Sequence, residues 1–162
     1  MRRMWAASAA MVVCLTLSEL AGTVLAQAET ADAVWVTGTS TSGVLVEAGT
    51  QTQVGDVVQT RGEVFTDTME MSDPRVSGTG TGTWNQDGYP GDIGISWGTY
   101  RLENEGGAWS GTFTSADGTP TVSSGFLVGE GGYAGLTFYW HQDMGDEISV
   151  VGIVFPGDPP TP

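Results

Sequence analysis

Few side chains in this sequence have the type and spacing that chemistry requires. Gly94-Ile95-Ser96-Trp97-Gly98 spells the G-x-S-x-G pattern of a nucleophile elbow, and Ser96 precedes the only histidine, His141. That motif works because a sharp strand-to-helix turn lifts the serine towards an oxyanion site at a helix N-terminus. Here Trp97 to Leu102 continues with strand character, no helix follows, and the chain is too short for a doubly wound hydrolase. The pattern is better read as a strand whose small residues lie under neighbouring rings. His141 shares a face, by alternation, with Thr137 and Tyr139, while Leu136, Phe138 and Trp140 take the other. If the second face is the core, His141 points to solvent or into a lumen, where an imidazole could act as acid, base or switch.

The remaining polar signals are weaker. Arg61, Arg75 and Arg101 are the only basic residues after residue 3, so each is expected to pair with carboxylates, Arg101 with Glu103 on its own face. In a ligand-binding lumen that pair would be a natural polar anchor. Asp87 to Asp92 and Asp143 to Glu147 gather carboxylates in loops, but neither has the ligand spacing of an EF-hand, and Asp-Gly pairs serve hairpin turns in any case. No metal site and no cofactor are expected. Rows such as Thr79, Thr81 and Thr83 suit a solvated strand face and lack the regular repeat of an ice-binding surface. The candidate ligand-binding set is therefore Arg101, Glu103, Tyr139 and His141, expected to meet in one pocket at a barrel mouth. A bulge at Gly98 would let Tyr100 turn inward after Trp97.

The elements that must position these residues follow a leader. Arg2 and Arg3, the apolar run Met11 to Leu17, and Ala26-Gln27-Ala28 form the three parts of a secretory signal peptide over residues 1–28. The only cysteine, Cys14, lies inside it, so export leaves no thiol and no disulfide. From five basic and nineteen acidic residues, loss of Arg2, Arg3 and Glu19 leaves three and eighteen, a net charge of −15 with no lysine. Such a surface repels nucleic acid and anionic lipid, and no segment is fit to span a membrane. Residues 29–155 are one domain's worth of chain, and Pro156 to Pro162 form a proline-rich flexible tail.

Within the domain, strand-like runs recur between glycine and Asp-Gly turns without any capped helical period. The centre is a hairpin, Ile93 to Leu102 and Ala108 to Thr114, joined by Glu103-Asn104-Glu105-Gly106-Gly107. Ahead of it, Ser77 to Trp84 puts three glycines on one face, which tryptophans from adjacent strands are expected to cover. The run from Val57 to Thr68 is broken at Gly62 by a bulge or bend, and Gln86 to Asp92 reads as a loop. Tyr133 to Gln142 and Ile148 to Phe155 are the last strands, the final one apolar on both faces and expected to be buried most deeply. The fold class is all-β, a single antiparallel barrel of about eight strands, because closure removes edges that this chain has few charges to guard.

The strings Ser72 to Thr79, Trp97 to Asn104, Gly106 to Trp109 and Gly131 to Tyr139 resemble a group of secreted bacterial small β-barrel proteins that brings no activity with it. The glycine-rich approach from Gly129 to Gly135 resembles barrels of the allene oxide cyclase and dirigent type, which implies an eight-stranded antiparallel barrel but transfers no site residue. Gly82-Thr83-Trp84-Asn85 is similar to avidin-like barrels over four residues.

These observations lead to an expected function: an acidic, secreted barrel that binds a small molecule or an extracellular surface without catalysis. An isomerase-like or hydrolytic enzyme at the barrel mouth is the alternative, and a structural, envelope-associated interaction domain is a third. The leader makes an immediate prediction. Mass spectrometry of exported material should find a mature N-terminus near Gln27 or Glu29, and an intact Met1 or an acyl chain on Cys14 would exclude it.

Overall fold

The computed structural model describes residues 32–161, so the expected leader lies outside the described residues. Ten strands and one 3-10 turn make up the fold: β1 (Val34–Ser40), β2 (Val44–Glu47), β3 (Thr50–Val54), β4 (Val57–Met71), the turn Pro74–Val76, β5 (Gly78–Tyr89), β6 (Ile93–Asn104), β7 (Gly107–Asp117), β8 (Thr121–Gly131), β9 (Leu136–Met144) and β10 (Ile148–Pro156). Eight of them close a ring in the order β1-β10-β9-β8-β7-β6-β5-β4 and back to β1, all pairs antiparallel. This is the all-β, eight-stranded antiparallel barrel that the turn spacing predicts.

One wall is built differently. β4 is 15 residues long and faces three short strands in succession. Its end, Met69 to Met71, pairs with β1, Val64 to Thr66 with β2, and Val57 to Arg61 with β3. β1, β2 and β3 thus act as one interrupted strand. The expected irregularity at Gly62 is present: the register of β4 against β5 shifts between Thr60 and Glu63, and Gly62 takes φ 72°, a conformation that glycine adopts at no steric cost.

Several boundaries differ from the sequence reading. β5 runs through Gln86 to Tyr89 as strand, because the β5–β6 ladder continues without a shift to Tyr89 opposite Ile93. The central hairpin is tighter than expected, with Glu105 and Gly106 alone between Asn104 and Gly107. Tyr133 belongs to the turn before β9, where Leu136 N–H donates to its carbonyl. β3 follows a two-residue step after β2 where only a turn was read. β10 is not buried on both faces: Val150, Gly152 and Val154 are buried, while Val151, Ile153 and Phe155 are half-exposed on the outer wall. At the C-terminus the chain is held just beyond β10, where Gly157 N–H donates to the Gly135 carbonyl at 2.9 Å and its own carbonyl accepts from Thr137 Oγ1.

The interior is laid out in layers that the register defines. One layer runs Phe65, Gly82, Tyr100, Gly111, Leu127, Phe138 around the ring, and the next runs Trp84, Gly98, Phe113, Gly125, Trp140, Gly152. Most rings therefore have glycine beside them on an adjacent strand. The glycine face of β5 is covered by Phe65 and Tyr100, not by tryptophans: a β-carbon at Gly82 would fall 2.6 Å from Cε1 of Phe65, and one at Gly80 would fall on Tyr100 and Asp67. No bulge forms at Gly98. β6 keeps strict alternation, with Ser96, Tyr100 and Leu102 inward and Ile95, Trp97 and Arg101 outward.

The end of the barrel that carries the 72–77 segment is sealed. Trp109 is fully buried there, stacked on Tyr133 with ring centroids 5.0 Å apart and edge-on to Phe138. Its Nε1 donates to the Arg75 carbonyl at 2.7 Å, which fastens the 3-10 turn as a plug. Asn104 adds donations to the carbonyls of Pro74, Arg75 and Ser77, and accepts from the Tyr133 hydroxyl at 2.6 Å. Asp73 caps the turn, accepting from the Arg75 backbone N–H and pairing with its guanidinium. Trp109→Ala should destabilise the fold by about 3–5 kcal/mol, since it removes a buried ring and its hydrogen bond. Gly82→Val should cost about 1–3 kcal/mol by overfilling the space that Phe65 occupies. Urea unfolding of both variants checks this, and midpoints equal to the parent's would refute the layered packing.

Candidate functional site

The opposite end of the barrel is open. Here the inward positions of successive strands are polar and, on the three middle strands, small: Gln86, Ser96, Ser115, Ser123 and Gln142 face one another in register across β5 to β9. Small side chains cannot fill the lumen as the rings below them do. A cavity of about 540 Å³ results, within the range typical of small-molecule pockets. Its floor is apolar and its rim is made by Thr41 to Gly43, Leu45 and the Met144 to Asp146 turn.

The floor is a connected arc of rings. Trp84 stands edge-on to Phe65 at 5.9 Å, Phe65 stacks on Tyr100 at 6.4 Å, and Tyr100 tilts against Trp140 at 5.9 Å. Such offset and edge arrangements suit ring quadrupoles. Phe113 completes the lining. The Nε1 groups of Trp84 and Trp140 are buried without a hydrogen-bond partner, each on a ring that abuts another ring of the arc.

One charged group sits among these rings. Asp67 faces inward from β4 between Phe65 and Met69, and accepts a hydrogen bond from the Tyr100 hydroxyl at 2.6 Å and a longer one from Ser40. Burial pushes its carboxyl above the ordinary range, against the pull of Tyr100 and then Ser40. Burial, reinforced by the Asp67 charge, drives the Tyr100 phenol far above its ordinary range, so Tyr100 is a neutral donor. Nearer the mouth, Asp117 accepts from Gln86 at 2.9 Å and from Ser96, while its Oδ1 is buried without a partner. Ser115 and Ser123 hydrogen-bond each other. Ser96 is thus a buried donor on an unbroken strand, and His141 is on the far side of the wall. The pair cannot work as a nucleophile and its base.

The four residues singled out from the sequence lie on the outer face. Arg101 donates to Glu103 at 2.9 Å, to Ser110 at 2.6 Å and to Glu130 at 2.8 Å. Ser110 and then Arg101 hold the Glu130 carboxyl below the ordinary range. Tyr139 packs on Phe126 at 5.0 Å, within an outer row that continues through Ile153 to Trp35, which is 62% exposed. His141 lies between Ser124 of β8 and Val151 of β10. Arg101 registers with Ser110, Val128 and Thr137, so His141 is three strands and four residues away from it. The structure brings Arg101 and Glu103 together and keeps Tyr139 and His141 apart from them, and none of the four lines the cavity. The physical reason is parity: with Tyr100 and Leu102 turned inward, Arg101 and Glu103 must turn outward.

The other two arginines are paired as expected, Arg61 with Asp87 at 2.6 Å and Arg75 with Asp73 at 2.6 Å. Arg61 also lies over the Trp97 ring at 4.9 Å, on the outer surface. Among the described residues no three His, Cys, Asp or Glu side chains gather as a metal site requires. No described helix is long and apolar enough to cross a membrane. Compared with known proteins, the chain matches no family model, and neither the curated proteins nor the solved structures give a significant match.

The Asp67 site makes a pH prediction. Its folded carboxyl holds a proton more tightly than the unfolded chain does, so its contribution to stability is present below the unfolded pKa of about 4 and is lost as pH rises through the raised folded value. Asp67→Asn removes that titration. Urea unfolding of both proteins from about pH 3 to pH 8 should show the Asn variant gaining on the parent as pH rises. A difference that stays constant across the range would contradict the assignment.

Proposed function

We propose that this chain is an exported, non-catalytic binding protein that takes a small, largely apolar molecule into the open end of its barrel. The observation that carries the reading is the contrast between the two ends. A barrel whose only task was structural would fill both, yet Trp109, Tyr133 and the 3-10 turn seal one while serines at inward positions hollow out the other. A rigid apolar floor with a few polar groups at the rim is the usual build of a ligand pocket. Export is supported by the leader over residues 1–28, and a bacterial source by the resemblance of the barrel segments. The acidic surface, with its three arginines already paired, leaves no basic patch for nucleic acid.

A lumenal enzyme is the second reading, and the Asp67–Tyr100 pair is the observation in its favour, since a carboxyl with a raised pKa beside a phenol is the material of proton transfer. It would be supported by turnover of a lumen-bound molecule that Asp67→Asn abolishes while binding persists.

The binding reading is tested with N-phenyl-1-naphthylamine, whose emission rises in apolar pockets. The parent should bind it, Ser115→Trp should lose binding at least tenfold by filling the lumen, and His141→Ala should bind as the parent does. Equal binding by the parent and by Ser115→Trp with unchanged melting temperature would place the probe elsewhere and overturn the proposal.

A further inference from the structure

The chemistry of the lining narrows the ligand. The arc of Trp84, Phe65, Tyr100 and Trp140 presents ring faces and edges around one space, and Asp67 stands against it through Tyr100. Glu63 and Asp146 add two more carboxylates to the lining, and no lining residue is basic. The three arginines of the described chain are all spent elsewhere, Arg61 and Arg101 on the outer wall and Arg75 in the plug at the sealed end. Ring faces carry negative potential, and carboxylates at the edge of a low-dielectric space act in the same direction. An anion entering this cavity would meet three carboxylates and no compensating charge. A neutral molecule would gain only the apolar contact. A positive centre on an apolar body would gain from the rings and the carboxylates together.

We infer that the lumen takes an organic cation, an amine or quaternary ammonium group carried on an apolar or aromatic body, with the positive centre between the aromatic arc and the Asp67 side of the wall. This rests on the lumen being the binding site. The net charge of −14 over the whole sequence assists in the same sense, by raising the local concentration of cations at the mouth and speeding their entry at low ionic strength. The size of the space fits a body of one or two rings: it is far too large for a bare metal ion or ammonium, and the rim chain from Thr41 to Leu45 confines it laterally.

The experiment compares two molecules of the same shape, benzyltrimethylammonium and its carbon isostere neopentylbenzene, as competitors for N-phenyl-1-naphthylamine, with direct calorimetric titration of the cation alongside. The cation should displace the probe at a concentration at least tenfold lower than the isostere. That preference should shrink severalfold in Asp67→Asn and weaken as salt is raised. The sulfonated relative of the probe, 1-anilinonaphthalene-8-sulfonate, should bind at least tenfold more weakly than the neutral parent dye. If the isostere competes as well as the cation, or the sulfonate binds as well as the neutral dye, the cation assignment is overturned and the lumen reading stands. If neither the dye nor the cation binds at all, the lumen reading fails and takes the cation assignment with it.

Discussion

The interior of an eight-stranded barrel is just wide enough for side chains to fill, and it cannot accept a ring from every strand at the same height. This chain resolves the conflict by setting glycine beside the ring. Gly82 lies between Phe65 and Tyr100, Gly98 between Trp84 and Phe113, and Gly125 between Phe113 and Trp140. The glycines also let the strands approach closely, for a β-carbon at Gly98, Gly111 or Gly125 would run into the carbonyl of the neighbouring strand. Everything else in the fold depends on this arrangement. It fixes which face of each strand is inward, and through that the placement of every polar group.

The two ends of the barrel are different answers to the same packing question. At the sealed end the layers include Leu102, Trp109 and Leu127, and the gap that remains is closed by a turn whose carbonyls are held by Trp109 and Asn104. At the open end the inward residues shrink to Ser96, Ser115 and Ser123, which hydrogen-bond one another or Asp117 and leave the rings below uncovered. Asp67 is tolerated so deep in the wall because a neutral phenol supplies its hydrogen bond, the arrangement a partly buried carboxylate needs. The cavity is therefore a property of the layers and their sizes rather than of a loop closing over a groove.

Much of the architecture was legible in the chain. Turn spacing and glycine alternation predicted the ring of strands, the irregularity at Gly62 and the central hairpin, since these follow from local chemistry. What local chemistry did not decide was parity. Ile95, Trp97, Tyr100 and Leu102 offer apolar residues on both faces of β6, and only the register with Gly82 and Gly111 selects Tyr100 for the interior. The expected site of Arg101, Glu103, Tyr139 and His141 fell on the outer wall for that reason. Two signals for the lumen were present: an acid at the inward alternation position between Phe65 and Met69, and small polar residues at Ser96, Ser115 and Ser123. Neither could be joined to the other without knowing that Gln86, Ser96, Ser115, Ser123 and Gln142 stand in one row. The cover of the glycine face is supplied from β4 by Phe65, whose register with Gly82 is set through the 72–77 segment rather than by a tight hairpin turn that local chemistry announces.

The placement of the three arginines has a consequence for proteolysis. Proteases that cut after basic residues need a stretch of extended, accessible chain on both sides of the bond. With no lysine anywhere, the folded domain offers such an enzyme only Arg61, Arg75 and Arg101. The bond after Arg101 lies within a strand paired on both sides, and the bond after Arg75 leads into the fully buried Val76 of the plug. The bond after Arg61 falls at the Gly62 irregularity, where the ladder between β4 and β5 is interrupted. Cleavage after Arg75 or Arg101 therefore requires the barrel to open, whereas cleavage after Arg61 reports only the local looseness of the β4 irregularity, and the two kinds of cut separate local from global unfolding.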